Sequence, residues 1–448
     1  MCVGYFLVLL DVTIVNVALP SIGSGFHAPV STLQWVVDAY ALALASLMLP
    51  SGTVGDRFGH RRVVLAGLAV FGLGSLACGL APDAGVLTAA RALQGVGAAM
   101  LLPGTLAIIT NAYPDEKARA RAIGIWAGIG SLALPAGPLL GGALIDAVGW
   151  RAVFLINVPI VLAAGVATVL VVQPGRPRRD LPIDGTGAAL GVLLLSSATY
   201  AVIEAGRSGG FTLPVAVAAV VAVAALAAFV VVERRRGEDA MLPADLLRRP
   251  RFAVANLAAC AMNLGALGML FVLTLFLQSV QHRSPLGAGA ALVPLFAPLA
   301  AAAPFGGRIT ARLGPRIPAL TGLLLAAAGF AALTFAQPGS SYGALLLPAF
   351  LVWGIGLGLL TPAVVAAAVA AVPARRSGLA SAVNNTARQT GGAIGIAVAG
   401  AVAGQPESAG FMTGLHTVVL GAAVLYVLTA VMVASVRLTP ATRGPRSS

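Results

Sequence analysis

Two carboxylates, one guanidinium and one amide stand inside otherwise apolar runs near the start of the chain: Asp11, Asp38, Arg91 and Gln94. An ionisable side chain within a membrane span costs a few kcal/mol even on the lenient insertion scale, so each is a functional candidate. Their types suit proton exchange. Burial disfavours the charged form of a carboxyl group and a nearby guanidinium favours it, so a pair balanced between the two can take and lose a proton. The expectation is that Arg91 pairs alternately with Asp11 or Asp38, and that protonating the carboxylate frees the arginine. Gln94 follows Arg91 by three residues and shares about the same helix face. The blander reading is that Asp11 and Asp38 only hydrogen-bond to their own helices or to neighbours.

A second polar stripe, Asn384, Asn385, Arg388 and Gln389, interrupts an apolar run late in the chain. A buried arginine must find an anion, a carbonyl or water. From residue 246 onward the only acid is Glu407, in a loop. Arg388 is therefore expected to reach across to the first half, to be capped by backbone carbonyls, or to meet a polar or anionic group of a cargo. A neutral or anionic cargo is favoured.

The elements that must hold these groups follow from composition. Of 448 residues 58% are hydrophobic and only 10% charged, against about one in four charged in soluble domains. A bilayer suits such a chain as solvent. The net charge of +13 is not a nucleic-acid footprint, because the cations sit in short clusters between apolar runs rather than on one face. Cys2, Cys78 and Cys260 form no CxxC and read as small hydrophobes. The first apolar run has no charged leader and no cleavage pattern, so it is expected to be a retained span.

A crossing helix needs about 20 mostly apolar residues. Fourteen segments qualify, over 3–21, 32–54, 62–81, 85–109, 120–145, 151–172, 183–204, 211–232, 252–278, 287–307, 316–336, 342–365, 377–404 and 413–436. Alternate loops test the count. Arg151, Arg207 and Arg283 fall in outer loops and Arg91 and Arg388 within spans, whereas the other 23 of 28 cations fall in inner segments. Positive residues stay inside, so both termini are expected in the cytoplasm.

The chain also repeats itself. Gly52, Arg57, Gly59 and Arg61 recur 255 residues later as Gly307, Arg312, Gly314 and Arg316. Each copy joins the second and third helices of a six-span block. Two such blocks are the parallel repeat of a major facilitator, with its site near mid-membrane between the halves. The expected domains are 1–172, a six-helix bundle; 173–250, two inserted helices and a linker; and 251–448, a second six-helix bundle with a short tail.

Gly55-Asp56-Arg57-Phe58-Gly59-His60-Arg61-Arg62 resembles the inner-loop signature of the major facilitator superfamily. Leu10 to Pro20 with Asp11 and Asn16, Gln34 to Tyr40, Arg91-Ala92-Leu93-Gln94-Gly95-Val96-Gly97, and Gly137-Pro138-Leu139-Leu140-Gly141-Gly142 resemble its fourteen-span drug:proton antiporter branch, the EmrB/QacA type. One position departs from that pattern, with Ala133 where the antiporter motif carries glycine. The resemblance implies an all-α integral membrane protein of two six-helix bundles plus two inserted spans. It implies proton-driven export of a drug or antibiotic from a bacterial cell across the cytoplasmic membrane, by a functional monomer that needs no cofactor or metal beyond the proton-motive force. It assigns proton or substrate handling to Arg91 and Gln94, and we add Asn16, Asn384, Arg388 and Gln389 to the candidates. Gly55, Asp56, Arg57, Gly59 and Arg61 are expected to form a cytoplasmic latch, and Gly137, Pro138, Gly141 and Gly142 a gating contact.

Enzymatic and primary-pump readings fare poorly. The one lysine, Lys117, has no phosphate-cradling glycine loop around it. Gly206-Arg207-Ser208-Gly209-Gly210 matches a hydrolase elbow only by letter. The rivals are an importer or facilitator on the same fold and a membrane sensor that does not transport.

Overall fold

A computed structural model describes residues 1–113, 115–173, 184–237, 246, 248–373 and 376–436. The expected inner cations Arg176, Arg178, Arg179, Arg375, Arg437, Arg443 and Arg446 lie outside the described residues. In hydrocarbon every backbone N–H and C=O must be satisfied internally, which leaves an apolar chain little choice but helices. Thirteen helices among the described residues are long and apolar enough to cross a membrane. A fourteenth, Ser377–Ala403, has the length but carries the stripe around Arg388.

In chain order the spans are α1 Cys2–Phe26, α2 Val30–Phe58, α3 His60–Gly79, α4 Ala84–Ala112, α5 Glu116–Val148, α6 Ala152–Val171, α7 Gly185–Ser208 and α8 Leu213–Arg236. They continue as α9 Pro250–Val280, α10 Pro285–Leu313, α11 Arg316–Leu333, α12 Tyr342–Ala370, α13 Ser377–Ala403 and α14 Phe411–Ser435. Several run a turn or so past the expected apolar boundaries, mostly at their C-terminal ends, where Gly59, Gly149 and Gly314 with positive φ stop α2, α5 and α10, while polar side chains cap N-termini. Asp83, Asp115, Asp184 and Ser284 each accept a hydrogen bond from a first-turn N–H. Helix α1 passes through Pro20 and ends at His27, in the left-handed conformation (φ 50°).

The packing repeats as the sequence does. In the first block α2 and α3 lie on α4, α1 on α5, and α3 on α6; in the second, α10 and α11 lie on α12, α9 on α13, and α11 on α14. The blocks meet through α5 with α10 and α2 with α13. Exchanging each helix for its counterpart eight numbers away converts one of these contacts into the other, which is what two related halves require. The inserted helices α7 and α8 pack on each other, and α7 lies against both α2 and α13. The insertion therefore covers a seam between the halves.

Candidate functional site

Arg91 of α4 is fully buried, and its side chain ends in a closed set of partners. Its Nη1 donates to Asp11 Oδ2 at 2.5 Å and to Gln94 Oε1 at 2.7 Å, while Nε donates to the Val36 carbonyl at 3.0 Å. Gln94 Nε2 donates to Asp11 Oδ1 at 2.8 Å and to Ser75 Oγ at 2.9 Å. The guanidinium lies over the Tyr40 ring, 4.3 Å from its centroid. Helices α1, α2, α3 and α4 thus converge on one cation. The approach of α3 depends on Gly74, where a Cβ would stand 2.8 Å from the Gln94 amide nitrogen. Asn157 of α6 extends the network, donating to Ser75 Oγ at 3.5 Å.

Asp38 is equally buried and lies two residues from the carbonyl that Arg91 engages, yet neither of its carboxyl oxygens has a hydrogen-bond partner. Arg91 is therefore paired with Asp11 and not with Asp38. An isolated ionised carboxylate away from water is far costlier than a neutral carboxyl. One guanidinium balances one carboxylate, and Asp38 has no such partner.

The other candidates are more dispersed. Asn16 donates to Val12 O of its own helix at 2.6 Å and leaves Oδ1 without a partner. Asn384 donates to Asn256 Oδ1 at 3.2 Å, joining α13 to α9. Gln389 and Arg388 are half-buried, and Arg388 Nε has no acceptor. Arg388 lies within electrostatic reach of Tyr5 on α1, across the interface between the halves.

Around the loop signature, Asp56 meets His60 at 3.0 Å, and Arg61 donates to Val169 O of α6 at 2.8 Å. Gly59 ends α2 at φ 95°, and Arg57 lies over the Phe58 ring. His60 is the partner that the spacing of charges did not bring out. A cavity of about 1170 Å³ lies at this end of the first block beside Asp56, His60 and Arg61. It does not reach the Arg91 cluster.

The Gly-Pro segment of α5 stands at a three-helix junction. A Cβ at Gly137 would strike Thr13 of α1, and one at Gly141 would stand 2.8 Å from the Ile14 side chain. A Cβ at Gly142 would come within 2.5 Å of Leu286 Cα, while from the other side Gly289 of α10 faces the Pro138 carbonyl. Ala133 is tolerated, fully buried, with its carbonyl accepting from Thr13 Oγ1 at 3.4 Å. The second half has a counterpart that the sequence reading missed: Gly391 and Gly395 of α13 lie on the backbone of Cys260 and Leu264 in α9. Its signal was the shared four-residue spacing of the glycines.

Four side chains tie the halves together at the end away from the arginine-rich segments. Gln34 donates to Ala397 O at 2.8 Å, Gln278 donates to Val17 O at 2.8 Å, Asp146 accepts from Leu286 N at 3.2 Å, and Gln405 accepts from Val30 N at 3.4 Å. Among the described residues no group of three or more His, Cys, Asp or Glu is placed to hold a metal ion.

Two blocks of matching internal packing, joined by α2–α13 and α5–α10, are thus combined with an intramembrane ion pair. The Major Facilitator Superfamily profile matches residues 1–396. The chain belongs to the major facilitator superfamily. Among facilitators it resembles the multidrug resistance protein Stp of Mycobacterium tuberculosis, 37% identical over 86% of this chain and 71% of that one. It also resembles the methylenomycin A resistance protein of Streptomyces coelicolor (34%, 86% and 81%) and the multidrug efflux pump LfrA of Mycolicibacterium smegmatis (35%, 85% and 75%). The fold is that of solved facilitators. A bacterial homologue of the human lysosomal transporter Spinster, crystallised inward-facing and unoccupied, aligns over 96% of this chain and 94% of its own with a TM-score of 0.68 at 19% identity. In this facilitator the Arg91 cluster is thus sealed within the first half, while Arg388 lies at the interface between the halves.

Proposed function

We propose that this facilitator is a proton-coupled antiporter that exports drug-like or antibiotic molecules across the bacterial cytoplasmic membrane, with both termini in the cytoplasm. The names of its relatives support drug export, and the excess of cations in alternate loops supports the orientation. In that orientation the four ties hold the outer ends of the two halves together.

The observation that carries coupling is the pairing of Arg91 with Asp11 while Asp38 stands without a partner. The site holds one guanidinium and two carboxyls, so near-neutrality calls for one proton. In the state described, that proton sits on Asp38. When Asp11 takes a proton instead, its hold on Nη1 weakens and Arg91 can turn to Asp38. Because Asp11 is on α1, which packs on the Gly137–Gly141 segment of α5, a change at Asp11 bears on the helix that closes against α10.

Everted vesicles with an imposed proton gradient test this. Cargo accumulation is expected in the wild type and is lost in Asp38→Asn, which preserves shape but can no longer exchange a proton. Full gradient-driven accumulation by that variant would remove Asp38 from the mechanism. Uptake in right-side-out vesicles instead would identify an importer.

A further inference from the structure

A group of donors at the interface between the halves takes no part in the proton network. Trp126 of α5 stacks on Tyr5 of α1, ring centroids 3.9 Å apart and planes 13° from parallel. Gly130, one turn further along α5, makes room for it, since a Cβ there would strike the Tyr5 ring. Trp126 Nε1 is buried with no acceptor. Across the interface, Arg388 Nε is also buried without a partner, with Tyr5 within its electrostatic reach. Trp126 is ten residues into α5 and Arg388 eleven into α13, so each is about 15 Å from the arginine-rich end, half the thickness of the hydrocarbon.

The side chains here offer N–H donors, one positive charge and aromatic faces. No acid of α9 to α14 opposes them. Leaving the Trp126 and Arg388 donors unsatisfied is costly unless something that carries acceptors visits. A cation would meet Arg388 at close quarters. A flat ring with an electron-rich edge meets stacking on one side and donors on the other.

We infer that Tyr5, Trp126 and Arg388 form a cargo subsite for planar aromatic compounds that present a carboxylate or carbonyl edge. The inference rests on the export reading for its physiological meaning, but its geometry is independent of the proton site. Tyr5 and Trp126 belong to the first half and Arg388 to the second. Cargo held by both therefore engages surfaces that move relative to one another as the halves rock.

Binding, measured without any gradient, separates the two readings. The full chain in lipid nanodiscs would be titrated with three probes of one shape: anthracene-2-carboxylate, its carboxamide, and the cationic 2-aminomethylanthracene. The carboxylate is expected to bind at least about tenfold more tightly than the cation, and Arg388→Gln to remove about tenfold of carboxylate affinity while changing cation affinity less than about twofold. Arg388→Lys should recover part of the loss. Trp126→Phe keeps a ring and deletes the N–H, and should weaken the two acceptor probes by a few-fold but not the cation. Should Arg388→Gln fail to fold, Arg388→Lys and Trp126→Phe decide the matter. Equal effects on all three probes, tighter binding of the cation, or no binding of any probe would overturn the subsite. Selective binding without gradient-driven transport would overturn only the export reading. Gradient-driven export by a protein that binds the probes without preference would overturn only the subsite.

Discussion

Asp11 and Asp38 differ in what their loss leaves behind. Asp11→Asn strands Arg91 with one amide, one carbonyl and the Tyr40 ring, and breaking a buried pair from one side costs about 3–5 kcal/mol. Asp38→Asn replaces a carboxyl that has no hydrogen-bond partners, and is expected to leave the melting temperature near that of the wild type. Thermal unfolding in detergent should therefore separate two variants that are both expected to abolish coupling. The double variant Asp11→Asn with Arg91→Gln should regain much of the stability and none of the coupling, a non-additivity that a mutant cycle measures directly. Equal destabilisation by Asp11→Asn and Asp38→Asn would contradict the pairing described here. At this scale the sequence made Asp11, Arg91 and Gln94 legible, because a charge or an amide in an apolar run is conspicuous. Tyr40, Ser75 and Asn157 were not, because hydroxyls and single amides are common in spans and their partners come from helices far away in the chain. Tyr40, which stood in the sequence only as the end of the second-helix motif, is buried and forms the floor beneath the guanidinium.

The helices were legible as elements, and their contacts only in part. Length and apolar character revealed fourteen segments, and the repeat of Gly52 and Arg57 paired the blocks. What remained hidden was which face of each helix meets which neighbour, since a span that is hydrophobic all round announces no preferred side. The placement of α7 over α2 and α13 is of this kind. So is the turn of π-helix at Phe276–Val280, within which Gln278 reaches α1. At α5 the sequence said more, because Gly142 has a geometric reason that can be tested. Gly142→Val would push a side chain into Leu286, so α5 and α10 could no longer close at that end. Spin labels introduced by Val148→Cys and His282→Cys, both exposed near this end, in a cysteine-free background are expected to show a longer distance in this variant than in its parent. The same distance in both would mean that the close approach is incidental to closure.

The whole molecule is two like bundles held at one end by a small number of polar contacts, laid over an interface of small residues. A neutral hydrogen bond contributes about 1 kcal/mol net, which is small against the packing within each bundle but comparable to the few kcal/mol that separate transporter states. Removing two ties together, Gln34→Ala and Gln278→Ala, should shift the balance between closed and open forms of the tied end by about 2 kcal/mol, roughly thirtyfold in population. Neither glutamine belongs to the Arg91 cluster, so stability and proton exchange should change little while the resting state changes. The measurement is the distance between labels at the exposed positions His27 and Glu407, one in each half near the tied end. In the wild type a single short distance is expected. In the double variant a second, longer distance should become comparable to it, and each single variant should fall between. Because a ligand or proton can move such an equilibrium only by its differential affinity for the two states, the same double variant should also need less proton-motive force to open at the tied end. A distance distribution that ignores both substitutions would place the closure in the apolar contact of α2 with α13 and α5 with α10, and would leave the four polar ties as passengers on it.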